Sequence, residues 1–152
     1  MPNDTSTSGD TADFNLQIIE AFRANHGVVG GPFEGKRLVL LHHVGHRSGR
    51  PYVTPLVSAI DGDDYLVCGS LGGAPNDPQW VANIEAGDGR TTIEVDDRTL
   101  KVSTDVVRAP SSEWERLYEI WATYWPAARD YEKNPLRNSR NFPMVRLTPI
   151  AE

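Results

Sequence analysis

The sequence predicts an α+β domain in which an antiparallel sheet or a small barrel carries helices at its periphery. Two observations predict this class. Short apolar runs follow one another across short turns, and a few longer amphipathic segments carry helix-start signals. The chain has 152 residues, of which 39% are hydrophobic, so it fits one domain with a substantial core. It contains no internal repeat and no interior linker rich enough to divide it.

The N-terminal residues divide into a tail and a first helix. Residues 1–12 are mostly Ser, Thr, Asp and Gly, which predicts a disordered tail before a single folded domain at 13–152. Asp13 is suited to cap a helix over 14–24, because its carboxylate can accept a free N–H of the first turn. Three apolar side chains at helical spacing predict the buried face of this helix: Phe14, Ile18 and Phe22.

Two further helices are predicted from local start signals. Asp77-Pro78 has the residue types of an N-cap and a first helical position, which predicts a helix to about residue 85. Ser112 and Glu115 have the spacing of a capping box, which predicts a helix to about residue 124. Apolar runs bounded by Gly, Asp or Pro predict the strands, which are residues 37–44, 52–60, 65–68, 91–95, 98–107 and 144–147.

Composition excludes several classes of function. The net charge of −6 argues against a nucleic-acid partner, because such proteins present a basic surface. No apolar run is long enough to span a bilayer, and no signal peptide is recognisable, so stable membrane insertion is not expected. The single cysteine, Cys68, suits a reducing compartment. We therefore expect a cytoplasmic protein, and peripheral attachment to a membrane stays open as an alternative.

A basic turn between the first two strands is the first candidate site. Gly45 and Gly49 allow positive φ angles, so the backbone can fold tightly and direct N–H groups outward. Arg47 and Arg50 add guanidinium groups whose geometry matches phosphate or carboxylate, and Ser48 adds a hydroxyl. The turn therefore suits an anionic ligand, although an ordinary solvated hairpin turn would have the same composition.

A glycine-rich loop that leads into the second helix is the other candidate. Gly69, Gly72 and Gly73 leave room for a flat ring or a phosphate, and the helix N-terminus that follows favours an anion. Gln79 and Asn83 are four residues apart and share a helix face. Trp80 is better suited to the core than to stacking on a ligand. A connection that binds nothing is the alternative, but two such loops on successive hairpins favour a cofactor site.

Other chemistries have weaker support. His42 and His43 are adjacent on a strand and point to opposite faces, so they cannot share one metal ion, and we predict no metal site. Cys68 ends an apolar strand, and this position predicts a buried, inert thiol. The chain has neither a Gly-x-Ser-x-Gly motif nor an HExxH motif. Tyr131 lies in a polar stretch beyond the aromatic C-terminal helix, where an exposed phenol could act as a proton donor.

Several ordered motifs together resemble a known family. The segment 40–56, with Gly45, Arg47-Ser48-Gly49 and Thr54-Pro55, is followed by a second set of matching positions around 69–83 and a closing set around 131–143. In this respect the chain resembles the deazaflavin-dependent nitroreductases of actinobacteria, over nearly the whole folded part. The resemblance implies an antiparallel split β-barrel of the FMN-binding-protein type with peripheral helices, and coenzyme F420 as the cofactor.

The resemblance also implies roles for individual positions. Tyr131 matches a tyrosine that lines the substrate pocket, and Ser70 matches the loop that lies along the cofactor; as catalytic residues, both would donate from their hydroxyls to the acceptor. Thr54 and Pro55 match positions where the backbone meets the deazaflavin ring. The family often has basic residues at the positions of Leu71 and Tyr52. The positions that match cofactor contacts are His46, Arg47, Ser48, Gly49, Tyr52, Thr54, Pro55, Ser70, Gly72, Gly73, Ala74, Gln79, Trp80 and Asn83.

The implied activity is hydride transfer from reduced F420 to a small-molecule electron acceptor such as a quinone, a nitro compound or an enone. The cofactor would supply the reactive chemistry, which explains why the chain has no recognisable acid–base pair or nucleophile. Two alternatives stay open. The same fold could hold FMN, or the protein could carry a deazaflavin or another small ligand without catalysis. The apolar strands and the Trp-rich C-terminal region would also suit a homodimer.

Overall fold

Seven antiparallel strands form one sheet in the computed structural model, which describes residues 9–70, 76–134 and 140–150. The strands are β1 (Leu38–Val44), β2 (Pro51–Val57), β3 (Ala59–Asp61), β4 (Asp64–Cys68), β5 (Arg90–Val95), β6 (Arg98–Val107) and β7 (Met144–Pro149). Their order across the sheet is β2-β1-β5-β6-β7-β4-β3. The antiparallel, helix-decorated architecture predicted from sequence is confirmed.

The sheet closes on itself at Ser58. The predicted single strand 52–60 is in fact two strands, because β2 pairs with β1 whereas β3 pairs with β4. Ser58 lies between them, fully buried, with its N–H donating to Arg37 O at 3.0 Å and its hydroxyl donating to Ala59 O at 2.9 Å. The two edge strands are therefore consecutive in the chain, and β2 also contacts β4. This closure makes the sheet a split β-barrel.

Four helices are present in the described residues, together with a 3₁₀ turn at Gly31–Phe33. They are α1 (Gly9–Ala24), α2 (Gln79–Ala86), α3 (Ser112–Tyr124) and α4 (Ala127–Tyr131). None of these helices is long and apolar enough to cross a membrane.

The predicted starts of α1 and α3 were wrong. α1 begins at Gly9, so Asp13 lies inside the helix and residues 9–12 of the predicted tail are helical. No Gly or Pro lies between Gly9 and Gly27, so nothing in that stretch interrupts a helix. Residues 1–8 lie outside the described residues. In α3 the N-cap is Ser111 and not Ser112, because Ser111 has extended backbone and its hydroxyl accepts the N–H of Trp114 at 3.0 Å.

The helices pack on both faces of β1. Val39 and Leu41 face the barrel interior, which α2 covers with Trp80 and Val81. The alternate residues of β1, Leu38 and Leu40, pack outward against the Ile18, Ile19 and Phe22 side chains of α1. A third cluster joins α3 and α4 to β4 and β7. Because β1 is buried on both faces and ends in the basic turn, the position of that turn is fixed by the core.

Candidate functional site

The basic turn, residues 45–50, is a closed loop between β1 and β2. Gly45 N–H donates to Arg50 O, and Gly49 N–H donates to Gly45 O, both at 2.8 Å. Gly49 has a φ of +74° and open space where a Cβ would be, as predicted. Gly45 does not have a positive φ, which corrects that prediction. A larger residue at this position would be crowded, because a Cβ would lie 2.5 Å from Ser48 Oγ.

The two arginines of this turn differ from most of the others. Arg47 and Arg50 are exposed, and neither has a carboxylate partner among the described residues. Six other arginines pair closely with Asp or Glu: Arg23, Arg108, Arg116, Arg129, Arg140 and Arg146. Since the chain has a net charge of −6, two neighbouring cations without partners form a local site for an anion. Ser48 Oγ accepts Arg50 N–H at 3.2 Å and so also stabilises the turn.

Asn83 holds this turn against α2. Its Oδ1 accepts the backbone N–H of His46 at 3.1 Å and lies 2.8 Å from Nδ1 of the same histidine. Gln79, one turn earlier on α2 and exposed, brings its side-chain amide to 3.4 Å from His46 Nδ1. Asn83 itself is only 5% exposed. The prediction that Gln79 and Asn83 share a helix face is confirmed, and the face they share is the one that contacts the turn.

The same asparagine also contacts the end of β1. Asn83 Nδ2 lies 2.9 Å from His43 Nδ1, and His43 Nε2 lies 2.9 Å from Thr54 Oγ1 on β2. His43 is 5% exposed, and its ring stacks on Tyr52 at 5.6 Å. Burial, with a smaller contribution from His42, lowers the pKa of His43 to about 4. His43 is therefore neutral at pH 7, and it joins predicted site residues on both neighbouring elements.

A cavity of about 300 Å³ lies beside this network. Its lining includes His43, His46 and Asn83 from the network, and Arg90 and Thr91 from the start of β5. Thr54 is half-buried next to His43, whereas Pro55, its neighbour in β2, is paired with Leu40 and directs its side chain to the opposite face. The cavity and the turn thus lie at the same end of β1, and His43 connects Thr54 to them.

The second predicted loop is anchored by Arg140. Its guanidinium donates to Gly69 O at 2.9 Å, to Ser70 O at 2.8 Å and to Asp77 Oδ1 at 2.6 Å. Ser70 is 7% exposed, and its hydroxyl has no hydrogen-bond partner among the described residues. Gly69 does not leave space for a ligand, because a Cβ there would lie 2.8 Å from Val81 Cγ2 and 2.9 Å from Pro143 Cγ. The predicted contacts Gly72, Gly73 and Ala74, together with Leu71, lie outside the described residues.

Asp77 is not the N-cap of α2, contrary to the prediction. The cap position is Pro78, which has no side-chain capping bond. The Asp77 carboxylate accepts instead from Arg140 and, at 3.0 Å, from Arg108. Two charge-assisted bonds to guanidinium groups stabilise the carboxylate more than one bond to a backbone N–H. Trp80 is 5% exposed and packs in the barrel core, as predicted. Its contact with a cofactor stays a prediction.

Tyr131 is placed differently from the prediction. It ends α4 and is half-buried, and its hydroxyl accepts the Trp125 indole N–H at 3.1 Å. Trp125 in turn stacks on Phe33 with ring centroids 5.9 Å apart. The prediction of an exposed phenol in a polar stretch was therefore wrong, because a short helix folds the tyrosine back onto aromatic neighbours. Its role towards a substrate stays a prediction.

The structure also places two residues that were not assigned to the site, His42 and Cys68. His42 points away from His43 and pairs with Glu94 at 2.7 Å on the outer face. Cys68 is buried, as predicted, and burial raises the pKa of its thiol well above the usual range; its low reactivity stays a prediction. Among the residues that the structure describes, no group of three or more His, Cys, Asp or Glu side chains could hold a metal ion.

The residues present fit an acidic ligand that carries a flat, hydrogen-bonding ring. Arg47 and Arg50 offer positive charge without competing carboxylates among the described residues. Thr54 and the buried Ser70 add hydroxyl groups, and that of Ser70 has no hydrogen-bond partner in the described part of the chain. Fold and site together define a split-barrel protein with a candidate site for an anionic small molecule beside the basic turn.

Comparison with known proteins identifies the family. The family model for F420H(2)-dependent quinone reductases matches residues 16–149. An F420H(2)-dependent quinone reductase of Mycobacterium tuberculosis is 32% identical over 126 residues, which are 83% of this chain and 80% of that protein. The chain belongs to the F420H(2)-dependent quinone reductase family. It is an F420-dependent oxidoreductase, as the sequence resemblance implied, and the FMN alternative is not needed.

Solved structures support the same fold. An F420H2-dependent reductase superposes with a TM-score of 0.62 at 22% identity, covering 72% of this chain and 92% of that one. HutZ, a heme storage protein of Vibrio cholerae, superposes with a TM-score of 0.56 at 17% identity over 88% of this chain and 89% of its own. At such identities the likeness concerns the fold alone. It confirms the split β-barrel and assigns no role to single residues.

Sequence reasoning missed two residues of the site. His43 was interpreted as an isolated histidine, yet it links Asn83 to Thr54. Arg140 was noted only within a closing motif, yet it anchors Gly69 and Ser70. A buried histidine at the end of an apolar strand was the available signal for His43. Gly69, Ser70 and Asp77, to which Arg140 donates, lie more than 60 positions away, and no local pattern indicates these contacts.

Proposed function

We propose that this chain transfers a hydride from reduced coenzyme F420 to a quinone. The observation that carries the proposal is the pair of exposed arginines, Arg47 and Arg50, on a turn that Asn83 fixes beside the cavity. The family to which the chain belongs bears the name of this reaction, and the M. tuberculosis relative is named for it too. A nitro compound or an enone is an alternative acceptor, since each also accepts a hydride at an electron-poor carbon or nitrogen.

The proposed roles follow from the positions of the side chains. Arg47 and Arg50 would hold the acidic tail of F420, and His46 would contribute its ring at the same turn. Thr54 and Ser70 would present hydroxyl groups to the ring or to the acceptor. When bound, the reduced deazaflavin supplies the hydride, so the protein contributes placement and electrostatics. Tyr131 remains a proposed proton donor to the acceptor; its hydroxyl already accepts from Trp125, which leaves its hydrogen available.

Titration of the purified protein with oxidised F420, followed by fluorescence, tests the cofactor. We expect saturable quenching with an affinity in the micromolar range or tighter. The Arg47→Gln/Arg50→Gln double variant is expected to bind about tenfold more weakly or worse, because exposed charge contacts contribute up to about 1 kcal/mol each. Arg98→Gln is the matched control, since Arg98 is exposed on the β5–β6 hairpin. Equal affinity in all three proteins would contradict the role of the turn.

The acceptor is tested with the reduced cofactor under anaerobic conditions. A soluble naphthoquinone, an aromatic nitro compound and a cyclic enone are compared at equal concentration, and oxidation of F420H2 is followed by its returning absorbance. We expect the highest kcat/KM with the quinone. Binding of F420 without turnover of any acceptor would support a carrier and contradict the enzymatic proposal. We further propose a cytoplasmic location, where Cys68 stays reduced, and a homodimer. Cell fractionation tests the location, and measurement of the mass in solution tests the dimer.

A further inference from the structure

The orientation of the Asn83 side chain is fixed by one unambiguous donor. The backbone N–H of His46 can only donate, and it points at the Asn83 side-chain atom 3.1 Å away. That atom must therefore be the carbonyl oxygen, and the other terminal atom of the side chain must be the NH2 group. The NH2 group lies 2.9 Å from His43 Nδ1 and donates to it.

This orientation determines where His43 carries its proton. An Nδ1 that accepts a hydrogen bond is unprotonated, so the neutral ring carries its hydrogen on Nε2. Nε2 then donates to Thr54 Oγ1 at 2.9 Å, and the threonine oxygen acts as the acceptor. The hydrogen of the Thr54 hydroxyl is left to point elsewhere, and it has no acceptor among the residues that the structure describes. A protonated ring would lose the bond from Asn83, which agrees with a pKa lowered by burial.

We propose that His43 is a positioning residue that makes the Thr54 hydroxyl a hydrogen-bond donor to a ligand bound beside the basic turn. An isolated threonine hydroxyl can rotate to donate or accept, whereas one that already accepts from His43 presents its hydrogen in a restricted direction. Thr54 is half-buried on β2, four residues after Arg50, so its hydroxyl lies on the strand that follows the basic turn. The inference rests on the proposed function, because the acceptor we assign is a carbonyl oxygen of the deazaflavin ring.

The relay has a further consequence for Asn83. A single amide holds the arginine-bearing turn through its oxygen and sets the direction of the Thr54 hydroxyl through its nitrogen. The positions of the charged and the ring-binding parts of the site are thereby coupled. The alternative is that Thr54 turns its hydrogen to a main-chain carbonyl of its own strand, in which case His43 would be only a buried packing residue.

Nitrogen NMR of the uniformly labelled protein tests the first half of the relay without any ligand. We expect His43 to show the Nε2–H tautomer, neutral and unchanged from about pH 8 down to about pH 5.5. Observation of a proton on Nδ1 of His43 at neutral pH would overturn the proposal. In Asn83→Leu we expect a mixture of the two neutral tautomers of His43.

F420 titration tests the second half of the relay. Substitutions at Thr54 separate the effect of losing the hydroxyl group from the effect of changing the side-chain shape. Thr54→Ser is expected to keep the affinity of the wild type, and Thr54→Val to weaken it by about two- to tenfold, as loss of one hydrogen bond does. Thr92→Val on the outer face of β5 is the control. His43→Leu should weaken binding about as much as Thr54→Val, and His43→Gln, which can donate at the Nε2 position, should recover it.

The double variant distinguishes action through Thr54 from a direct contact. If His43 acts through Thr54, then His43→Leu adds little to the Kd once Thr54 is valine. Additive effects, or an unchanged Kd in Thr54→Val while the wild type binds, would overturn the inference and leave the proposed function intact. Absence of F420 binding by the wild type would overturn both. Unfolding midpoints of all variants, measured in parallel, separate loss of fold from loss of the hydroxyl donor.

Discussion

Acidification should destabilise the fold through His43. This histidine is 5% exposed, and its pKa is lowered from 6.5 to about 4, mainly by burial. The unfolded chain therefore binds the proton first as the pH falls. The stabilisation is complete above pH 6.5, declines as the pH falls towards 4, and reaches its lowest value below that.

The size of the effect follows from the two pKa values. The separation between 6.5 and about 4 corresponds to about 3 kcal/mol of unfolding free energy in the acid limit, and to about 2 kcal/mol between about pH 7.5 and about pH 5. The groups that face the ring are Asn83, Thr54 and Tyr52, and the neighbouring His42 makes a smaller contribution to the lowered pKa of His43. Glu94 lies on the outer face, where Arg23 keeps the pKa of its carboxyl lowered.

Urea unfolding of the wild type and of His43→Gln at several pH values measures this contribution. Glutamine can form both hydrogen bonds without titrating, and the carboxylates change equally in the two proteins. We expect the difference in unfolding free energy, wild type minus variant, to fall by about 2 kcal/mol between about pH 7.5 and about pH 5. A difference that stays constant over that interval would refute the assignment of His43 as a buried, neutral residue.

Three further outcomes are expected. Gly69→Ala should lower the unfolding free energy by about 1–3 kcal/mol through overpacking against Val81, whereas Gly87→Ala, with its nearest atom at 3.4 Å, should change it little; similar urea midpoints for the two would contradict the packing. Asn83→Leu should cost about 2–4 kcal/mol by denaturation and weaken F420 binding, because three polar contacts are lost at once. Cys68 should resist a thiol reagent in the native protein and react fully in urea; rapid native labelling would argue against its burial.

Local signals were sufficient where a short stretch of chain determines the conformation. The strands predicted at 91–95 and 98–107 follow from alternation and from the turn residues between them, and the structure confirms both. The basic turn could also be predicted, because its glycines, serine and arginines are contiguous and its hydrogen bonds close within six residues. The α1 start was missed because polar residues such as those at 10–12 are compatible with both a tail and a helix.

Long-range contacts account for what the sequence could not predict. Asn83 and His43 are 40 residues apart, and only the packing of α2 on β1 brings their side chains together. The same limit applies to glycines, whose purpose is set by neighbours. Gly49 has a positive φ, whereas at Gly69 a Cβ would collide with Val81 and Pro143. The sequence shows only a glycine at both positions. The sequence of a glycine-rich loop therefore does not show which of its glycines leave space for a ligand.

The helix α2 connects the two halves of the site. At its middle, Asn83 fixes the basic turn; just before its start, Asp77 holds Arg140, which in turn holds the carbonyls of Gly69 and Ser70. Trp80 and Val81 anchor the same helix in the barrel core, so a rigid element sets the distance between turn and loop. Because both anchors are on one helix, a core substitution that shifts α2 should displace both halves together, and it should weaken cofactor binding even though it touches no cofactor-binding side chain.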